Sequence, residues 1–355
     1  MDKILKTARF WSVAAAIGLT AALLLVAIGC GGGTTTTSAT TATKAASPGT
    51  VYVAVTGSGE LSAGTGNMGF AVVDLATKKV QMMNLPEAKA PHGIIFSPDT
   101  MTAPDTRGRV ATEKPKTILM GNADGGSVLV VDLATNKTTK TINAPSGAKL
   151  AICGMEKGPD GKIYLASMGD GIVYQVDTAG GTITATPVGG GDTTQSICGI
   201  AWSADGKYAY LSNMFNPNDP NQAGYIAKVS WPDGKLISKI ENVTKAPGTG
   251  SAAPMAHQSE VTPDGKYMYV TDGIDGSVVK IDMSTEKILK TIPVGKEPHS
   301  IVFSSDGKKA YIAVRHEPVE NESSVFVYDV DKDQVIDRIP GIQAPLICGL
   351  ILDES

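Results

Sequence analysis

From about residue 50 onward, the chain alternates short apolar runs with polar turns, as in the stretch DGKYMYVTDGIDGSVVKID. The apolar runs are rich in Val, Ile, Thr and Tyr, which are the residues enriched in strands. Asp-Gly between such runs predicts tight antiparallel hairpins, because Gly tolerates the positive φ that these turns require. The same unit of an apolar run, a turn and a further three runs recurs along the chain. We therefore expect repeated four-stranded antiparallel sheets.

The repeats align on an aspartate in the turn after the first strand of each unit. These aspartates are Asp99, Asp160, Asp205, Asp264 and Asp306. Counting strands gives five complete units from about residue 91 to residue 340. A sixth unit would combine PLICGLILDE from the C-terminus with TVYVAVTG, MGFAVVDLAT and KVQMMNLPE from the N-terminus. We predict an all-β fold over residues 50–355, a six-bladed β-propeller of four-stranded antiparallel blades whose terminal strands share one blade. Seven blades remain the alternative.

Three segments resemble the YVTN β-propeller repeat family: YVTDGIDGSVVKID, KTIPVGKEPHSIVFSSDGKKAYIAV and GSVLVVDLATNKTTKTI. The resemblance extends over residues 50–355 and implies the propeller fold. The family includes surface-layer, periplasmic and export-associated proteins that have no common chemistry. The resemblance therefore implies no particular function, because fold alone does not determine function.

The longest insertions sort to one face of the predicted propeller. GSGELSAGTGN, NMFNPNDPNQAG, VTKAPGTGSAAPMA and RHEPVENESS all fall in loops that enter the inner strand or join the second and third strands. We expect this loop-rich face to contact an unidentified protein or small-molecule partner. The insertion TMTAPDTRGRVATEKPK, residues 100–116, lies between first and second strands on the opposite face. We expect it to be a solvated loop.

The first 29 residues have the features of a targeting signal. A basic start is followed by an uncharged apolar stretch, residues 11–28, and AIGC places small residues before Cys30. This resembles a bacterial lipoprotein signal, which implies a signal peptide over residues 1–29 and a lipidated Cys30. An uncleaved signal anchor is the alternative, because about 18 apolar residues are just enough to cross a bilayer.

Residues 30–49 are rich in Gly, Thr, Ser and Ala and contain no large apolar residue. Such a composition cannot form a packed core, so we predict a flexible tether. Either reading of the N-terminus places the propeller outside the cytoplasm. We expect it in the cell envelope, periplasmic or at the cell surface, and held at the membrane by a lipid anchor.

Charge and motifs exclude several functions. The formal net charge is -4 and the lysines and arginines are scattered, so we expect no nucleic-acid partner. The sequence contains no Gly-x-Ser-x-Gly elbow, no Walker loop and no dinucleotide fingerprint, and therefore gives no support to hydrolase, nucleotide or NAD chemistry. Whether the protein is an enzyme is left open by these observations.

Cysteine and histidine are confined almost entirely to one position of the repeat. Seven residues before each turn aspartate, and at the matching position of the shared blade, stand His92, Cys153, Cys198, His257, His299 and Cys348. The chain has four cysteines and four histidines in total, so only Cys30 and His316 lie elsewhere. The position is the entry to the inner strand, and we predict a ring of six side chains at the mouth of the central channel.

Imidazoles and thiolates together favour copper, zinc or iron over calcium and magnesium, which prefer oxygen ligands. Taking alternate blades, we expect two triads, His92 with Cys198 and His299, and Cys153 with His257 and Cys348. Four methionines near the same mouth could add weak thioether ligation: Met155, Met168, Met214 and Met255.

The same residues have an ordinary structural reading. Histidine at this strand entry is common in the resembled family without a metal, and cysteines before glycine are often buried core residues. Two cysteines in neighbouring blades could also form a disulfide outside the cytoplasm. Two hypotheses follow. One is a membrane-anchored propeller that binds copper or zinc through the ring, in redox chemistry or metal handling. The alternative is a binding scaffold with no catalysis and no metal.

Overall fold

A computed structural model describes residues 49–57, 68–98, 109–214, 223–244 and 256–355. All of them belong to a compact unit that extends from Ala45 to Ser355. The predicted signal peptide, Cys30, nearly all of the tether and most residues of four long loops lie outside the described residues. Among the residues that are described, no helix is long and apolar enough to span a membrane.

Five blades are formed by consecutive strands, each in the order inner to outer. Blade 1 comprises β4 Pro91–Phe96, β6 Thr117–Asn122, β7 Ser127–Asp132 and β8 Lys137–Asn143. Blade 2 comprises β9 Ile152–Lys157, β10 Ile163–Ser167, β11 Ile172–Asp177 and β12 Thr182–Gly189. Blade 3 comprises β13 Ile197–Trp202, β14 Tyr208–Asn213, β15 Tyr225–Ser230 and β16 Leu236–Ile240. Blade 4 comprises β17 Ala256–Val261, β18 Tyr267–Asp272, β19 Ser277–Asp282 and β20 Lys287–Pro293. Blade 5 comprises β21 Glu297–Phe303, β22 Lys309–Arg315, β23 Ser323–Asp329 and β24 Gln334–Ile342.

The sixth blade joins the two ends of the chain. It comprises β25 Leu346–Asp353, β1 Thr50–Gly57, β2 Gly69–Asp74 and β3 Val80–Asn84. The inner strand β25 pairs antiparallel with β1, with Leu352 opposite Val51. The prediction of an all-β propeller with six blades, closed by terminal strands, is confirmed, and this closure pairs strand edges that would otherwise be exposed.

The hydrophobic core lies between the blades. Six clusters of buried side chains each join two neighbouring sheets, and together they follow the whole ring. Inner strands such as β4 are buried along their entire length, whereas the outermost strand β8 is mostly exposed. This gradient explains why the inner strands are short apolar runs and the outer ones are rich in Lys and Thr. The inner strands therefore form a rigid lining around the channel.

The insertion in blade 1 differs from its prediction. Residues 99–108 lie outside the described residues, but Val110 and Ala111 form a short strand, β5, which pairs parallel with β25. Arg109 is 1% exposed and reaches across the channel, where Nη1 lies 2.6 Å from Glu260 and Nη2 donates to the Leu350 carbonyl. The expectation of a solvated loop is therefore wrong for residues 109–111. Because β25 is the inner strand of its blade, the backbone groups on its channel-facing edge have no partner within that blade. The insertion supplies the hydrogen-bond partners for this edge.

Candidate metal centre

Every inner strand contains a β-bulge at the residue predicted to form the ring. In β13, for example, Ile197 faces Asn213 and Gly199 faces Ser212, which leaves Cys198 as the extra residue. The same single-residue excess occurs in the other five inner strands. A bulge locally redirects side chains and is common beside functional sites. The bulges explain how six strands direct their His or Cys side chains toward one another.

A steric constraint explains why glycine follows each of the three ring cysteines. A Cβ atom on Gly154 would lie 2.1 Å from the carbonyl oxygen of Cys198, and one on Gly349 would lie 2.7 Å from the carbonyl oxygen of His92. Both distances are shorter than a carbon–oxygen contact allows, because side-chain and backbone atoms pack at van der Waals separation. Glycine therefore allows the next inner strand to approach. The recurring Ile-Cys-Gly sequence combines a ring side chain with this close approach.

The six predicted ring residues are together and buried, with none more than 2% exposed. They associate as three pairs of neighbours around the ring. Cys153 and Cys198 form a disulfide. The rings of His257 and His299 stack with centroids 4.0 Å apart. The third pair is a thiol–imidazole contact, in which Cys348 Sγ lies 3.1 Å from His92 Nδ1. Contacts this close leave little space between the paired side chains, so an atom-sized ligand suits the site better than an organic one.

The disulfide changes the predicted ligand sets. Both alternate-blade triads required a thiolate from Cys153 or Cys198, and these two sulfur atoms are bonded to each other. The triads are therefore not formed, and the disulfide between neighbouring blades, which the sequence left as an alternative, is confirmed. His92, His299 and Cys348 instead bring one ligand atom each within 4.8 Å of one another. A second group, with the same separation, contains His92 and both sulfur atoms of the disulfide.

Cys348 is a buried thiol with three polar neighbours. Arg315 Nη2 donates to Sγ over 3.0 Å, and Thr56 Oγ1 lies 3.1 Å away. Thr56 donates its single proton to the Pro91 carbonyl, so Thr56 Oγ1 can only accept from the Cys348 thiol, whose one proton is directed at either Thr56 or His92 Nδ1. Burial raises the pKa of the Cys348 thiol, although the guanidinium of Arg315 opposes this effect. The thiol is therefore protonated at neutral pH, unless a ligand displaces the proton.

The three ring histidines are neutral. Burial lowers the pKa of His257 to about 3, and the nearby positive charge of Arg315 acts in the same direction. Burial and Arg315 also hold the pKa values of His92 and His299 well below the ordinary range. In the described part of the protein, Nδ1 of His257 and Nδ1 of His299 have no hydrogen-bond partner. Neutral imidazoles retain the lone pair that a metal ion requires.

The predicted methionine ligands and the fourth histidine differ in their position relative to this ring. Met168 and Met214 pack against the disulfide, whereas Met155 belongs to the core between blades 1 and 2. Met255 lies outside the described residues. His316 is separate from the ring, and its Nε2 lies 3.3 Å from Glu297.

Sequence reasoning missed Arg315, Thr56 and Arg109. Arg315 ends β22 and is 7% exposed, and it also pairs with Glu297 over 3.0 Å. Its only sequence signal is an arginine at the end of the second strand, where the other blades have Asn, Ser, Asp or Gly. Arg109 gave no signal, because its role depends on contacts with strands that are distant in sequence.

Comparison with known proteins supports the fold. No protein-family model matches the chain. Antigen Lp49 of Leptospira interrogans is 27% identical over 146 residues, which are 39% of this chain and 30% of that protein. The matched stretch therefore spans less than a third of the length of this relative.

Solved structures with the same fold are more distant in sequence. The periplasmic gluconolactonase PpgL of Pseudomonas aeruginosa has a TM-score of 0.52 and 16% identity, over 86% of this chain and 98% of that one. Hydrazine synthase of Kuenenia stuttgartiensis has a TM-score of 0.50 and 18% identity, over 78% and 81% of the two chains. At these identities, the likeness shows the β-propeller fold alone. Membership of the YVTN family stays a prediction.

Proposed function

We propose that this protein is a lipid-anchored, extracytoplasmic β-propeller that binds a thiophilic metal ion through His92, His299 and Cys348. The observation that carries the proposal is the buried cluster of one thiol and two neutral imidazoles, whose ligand atoms lie within 4.8 Å of one another. These are three of the six predicted ring residues. They come from the inner strands of three successive blades, a rigid frame that holds ligands in place before an ion arrives.

The spacing of the donors is compatible with an ion. In a tetrahedral site with a metal–nitrogen distance of about 2.0 Å and a metal–sulfur distance of about 2.3 Å, ligand atoms stand roughly 3.5 Å apart. The separation between His92 Nδ1 and Cys348 Sγ is 3.1 Å, and the other two pairs of ligand atoms are within 4.8 Å. Small side-chain rotations would therefore complete the site.

Charge favours copper(I) over zinc at this cluster. Once the thiol loses its proton, the three ligands carry one negative charge, which a monovalent ion neutralises. A divalent ion would leave a net positive charge in a buried site beside Arg315, and uncompensated buried charge is costly. Thiolate and imidazole ligands also suit the soft copper(I) ion. We therefore propose copper(I) as the preferred ion and zinc as the weaker competitor.

The chain itself would hold and shield the ion. Arg315 Nη2 donates to Cys348 Sγ and would hold it in place, and burial of all three ligands excludes water. A bound copper ion would supply one-electron redox chemistry. In this account, Cys30 anchors the propeller to the membrane, and the loop-rich face meets the partner that delivers or receives the ion.

The experiment is a copper(I) competition titration under anaerobic conditions against a coloured chelator. The parent is the full chain carrying Cys30→Ser, kept in detergent, so that its thiols are those of the propeller. We expect one copper(I) per oxidised parent. Cys348→Ser should weaken binding by more than about 100-fold, since loss of an outer-sphere partner alone costs 10–100-fold. His316→Gln, the matched histidine outside the ring, should bind as the parent does. Equal binding by the parent and Cys348→Ser would refute the proposal.

A groove on the face of the propeller away from the ring favours the alternative function, a binding scaffold without a metal ion. It has a volume of about 700 Å³ and is lined by the Asp-Gly turns of blades 2, 3 and 4, together with Trp202. Its size suits a peptide side chain or a small molecule, and it lies at the other end of the inner strands from the ring. If the titration finds no metal, binding at this groove becomes the better account of the protein.

A further inference from the structure

The Cys153–Cys198 disulfide lies within the same ring as the proposed copper site. It joins the inner strands of blades 2 and 3, and both cysteines are no more than 1% exposed. A ligand nitrogen of His92 and both sulfur atoms lie within 4.8 Å of one another. Two thioether side chains, Met168 and Met214, pack against the disulfide. A purely structural cross-link requires none of these donor groups around it.

We infer that reduction of this disulfide creates a second metal site, formed by Cys153, Cys198 and His92, which takes a divalent thiophilic ion such as zinc. The inference deepens the proposed metal-binding function and rests on it only for the idea that this ring binds metal ions. Two thiolates and a neutral imidazole carry two negative charges, which one divalent ion neutralises. The Cys2His set with an open fourth position is a known zinc arrangement.

The redox step balances with a dithiol as the reductant. The dithiol donates two electrons and two protons, the bond between the two sulfur atoms breaks, two cysteine thiols form, and the dithiol becomes a disulfide. A zinc ion then displaces the two thiol protons, because the thiolate is the ligand. Reoxidation by a small-molecule disulfide, which takes up the two electrons and becomes a dithiol, would re-form the Cys153–Cys198 bond and expel the ion. The oxidised ring therefore offers only the site at Cys348, and the reduced ring offers the site at Cys153 and Cys198 as well.

His92 makes the two sites compete. Its Nδ1 faces Cys348 over 3.1 Å, and the same imidazole belongs to the group with the disulfide sulfur atoms. A neutral imidazole has one lone pair and binds one ion at a time. Copper(I) held by His92, His299 and Cys348 therefore weakens zinc binding at the thiol pair. Reduction of Cys153 and Cys198 thus allows zinc to compete with copper(I) for His92.

The test uses zinc ions alone and the full chain carrying Cys30→Ser and Cys348→Ser, which lacks the proposed copper site. Thiols are counted in denaturant before and after treatment with a dithiol, with two additional thiols expected on reduction. We expect no zinc retained after gel filtration of the oxidised protein and one zinc per chain in the reduced protein. Adding Cys153→Ser should abolish this binding, and adding His92→Ala should weaken it at least tenfold.

Several outcomes would overturn the inference. Equal zinc content before and after reduction would do so, as would a disulfide that a dithiol cannot reduce in the folded protein. Far-ultraviolet circular dichroism of each variant separates loss of the site from loss of the fold. The two proposals fail separately, because the copper titration uses the oxidised parent, and this test uses a chain without Cys348.

Discussion

Acid should destabilise the metal-free propeller at a pH where its carboxyl groups are still ionised. The pKa of His257 is about 3 in the folded protein and 6.5 as an ordinary histidine. His92 and His299 are shifted in the same direction. Because these pKa values are lower in the folded protein than in the unfolded chain, the unfolded chain binds protons first as the pH falls. The free energy of unfolding therefore has its full value above about pH 6.5 and decreases as the pH falls toward 3.

The size of the effect follows from proton linkage. At pH 5 an unfolded histidine of pKa 6.5 has gained about 1.5 pH units of protonation free energy, or about 2 kcal/mol, at 1.36 kcal/mol per unit. The folded His257 gains almost none. His257 alone should therefore lower the free energy of unfolding by about 2 kcal/mol between pH 7 and pH 5, and His92 and His299 act in the same direction. Aspartates such as Asp205 and Asp264, whose pKa values are about 2 when folded, contribute only below about pH 4.

The assay is urea unfolding of the chelator-treated, oxidised protein at pH 7 and pH 5, followed by tyrosine and tryptophan fluorescence. His257→Gln is the matched control, and its loss between the two pH values should be smaller by about 2 kcal/mol, because glutamine does not titrate. Equal stability of the parent at the two pH values would refute the assignment of the ring histidines as buried and neutral.

Three further predictions concern the frame of the site. Gly154→Ala should lower the free energy of unfolding by about 3 kcal/mol or more, because the added methyl group would overpack against the next inner strand. In Gly147→Ala the new Cβ meets no atom within 4 Å, so this variant should lose only about 1–2 kcal/mol, the cost of a positive φ. Both values are measured by thermal or urea unfolding. Arg109→Met should cost roughly 3–5 kcal/mol by the same assay, because it removes the guanidinium from a buried ion pair. Deleting residues 346–355 should abolish cooperative unfolding, since it removes β25, whereas deleting Ser355 alone should not.

Each of these three predictions has an outcome that would contradict it. Equal losses for the two glycine variants would show that the close approach at Gly154 is not limiting. An Arg109→Met variant as stable as the parent would show that the channel crossing contributes nothing. Cooperative unfolding of the truncated chain would show that the ring closes without its terminal strand.

The architecture was predictable because it depends on local patterns. Asp-Gly turns and alternating apolar runs mark each hairpin, and the shared blade followed from the strand count. The ring was predictable as well, because a repeat places equivalent residues at equivalent heights. The pairing within the ring was not, since neighbouring and alternate blades look the same in sequence. The bulges and the buried end of the blade 1 insertion depend on contacts between distant segments, for which the sequence has no local signal. The arginine at the end of β22 does not by itself indicate that Arg315 contacts Cys348.

X-ray absorption spectroscopy of the copper(I)-loaded, oxidised full chain carrying Cys30→Ser tests the central claim most directly. We predict that one sulfur and two nitrogen atoms bind the copper ion in the parent, and that no sulfur atom binds it in Cys348→Ser. The same spectrum with two or more sulfur atoms, or with none in the parent, would contradict a site formed by His92, His299 and Cys348.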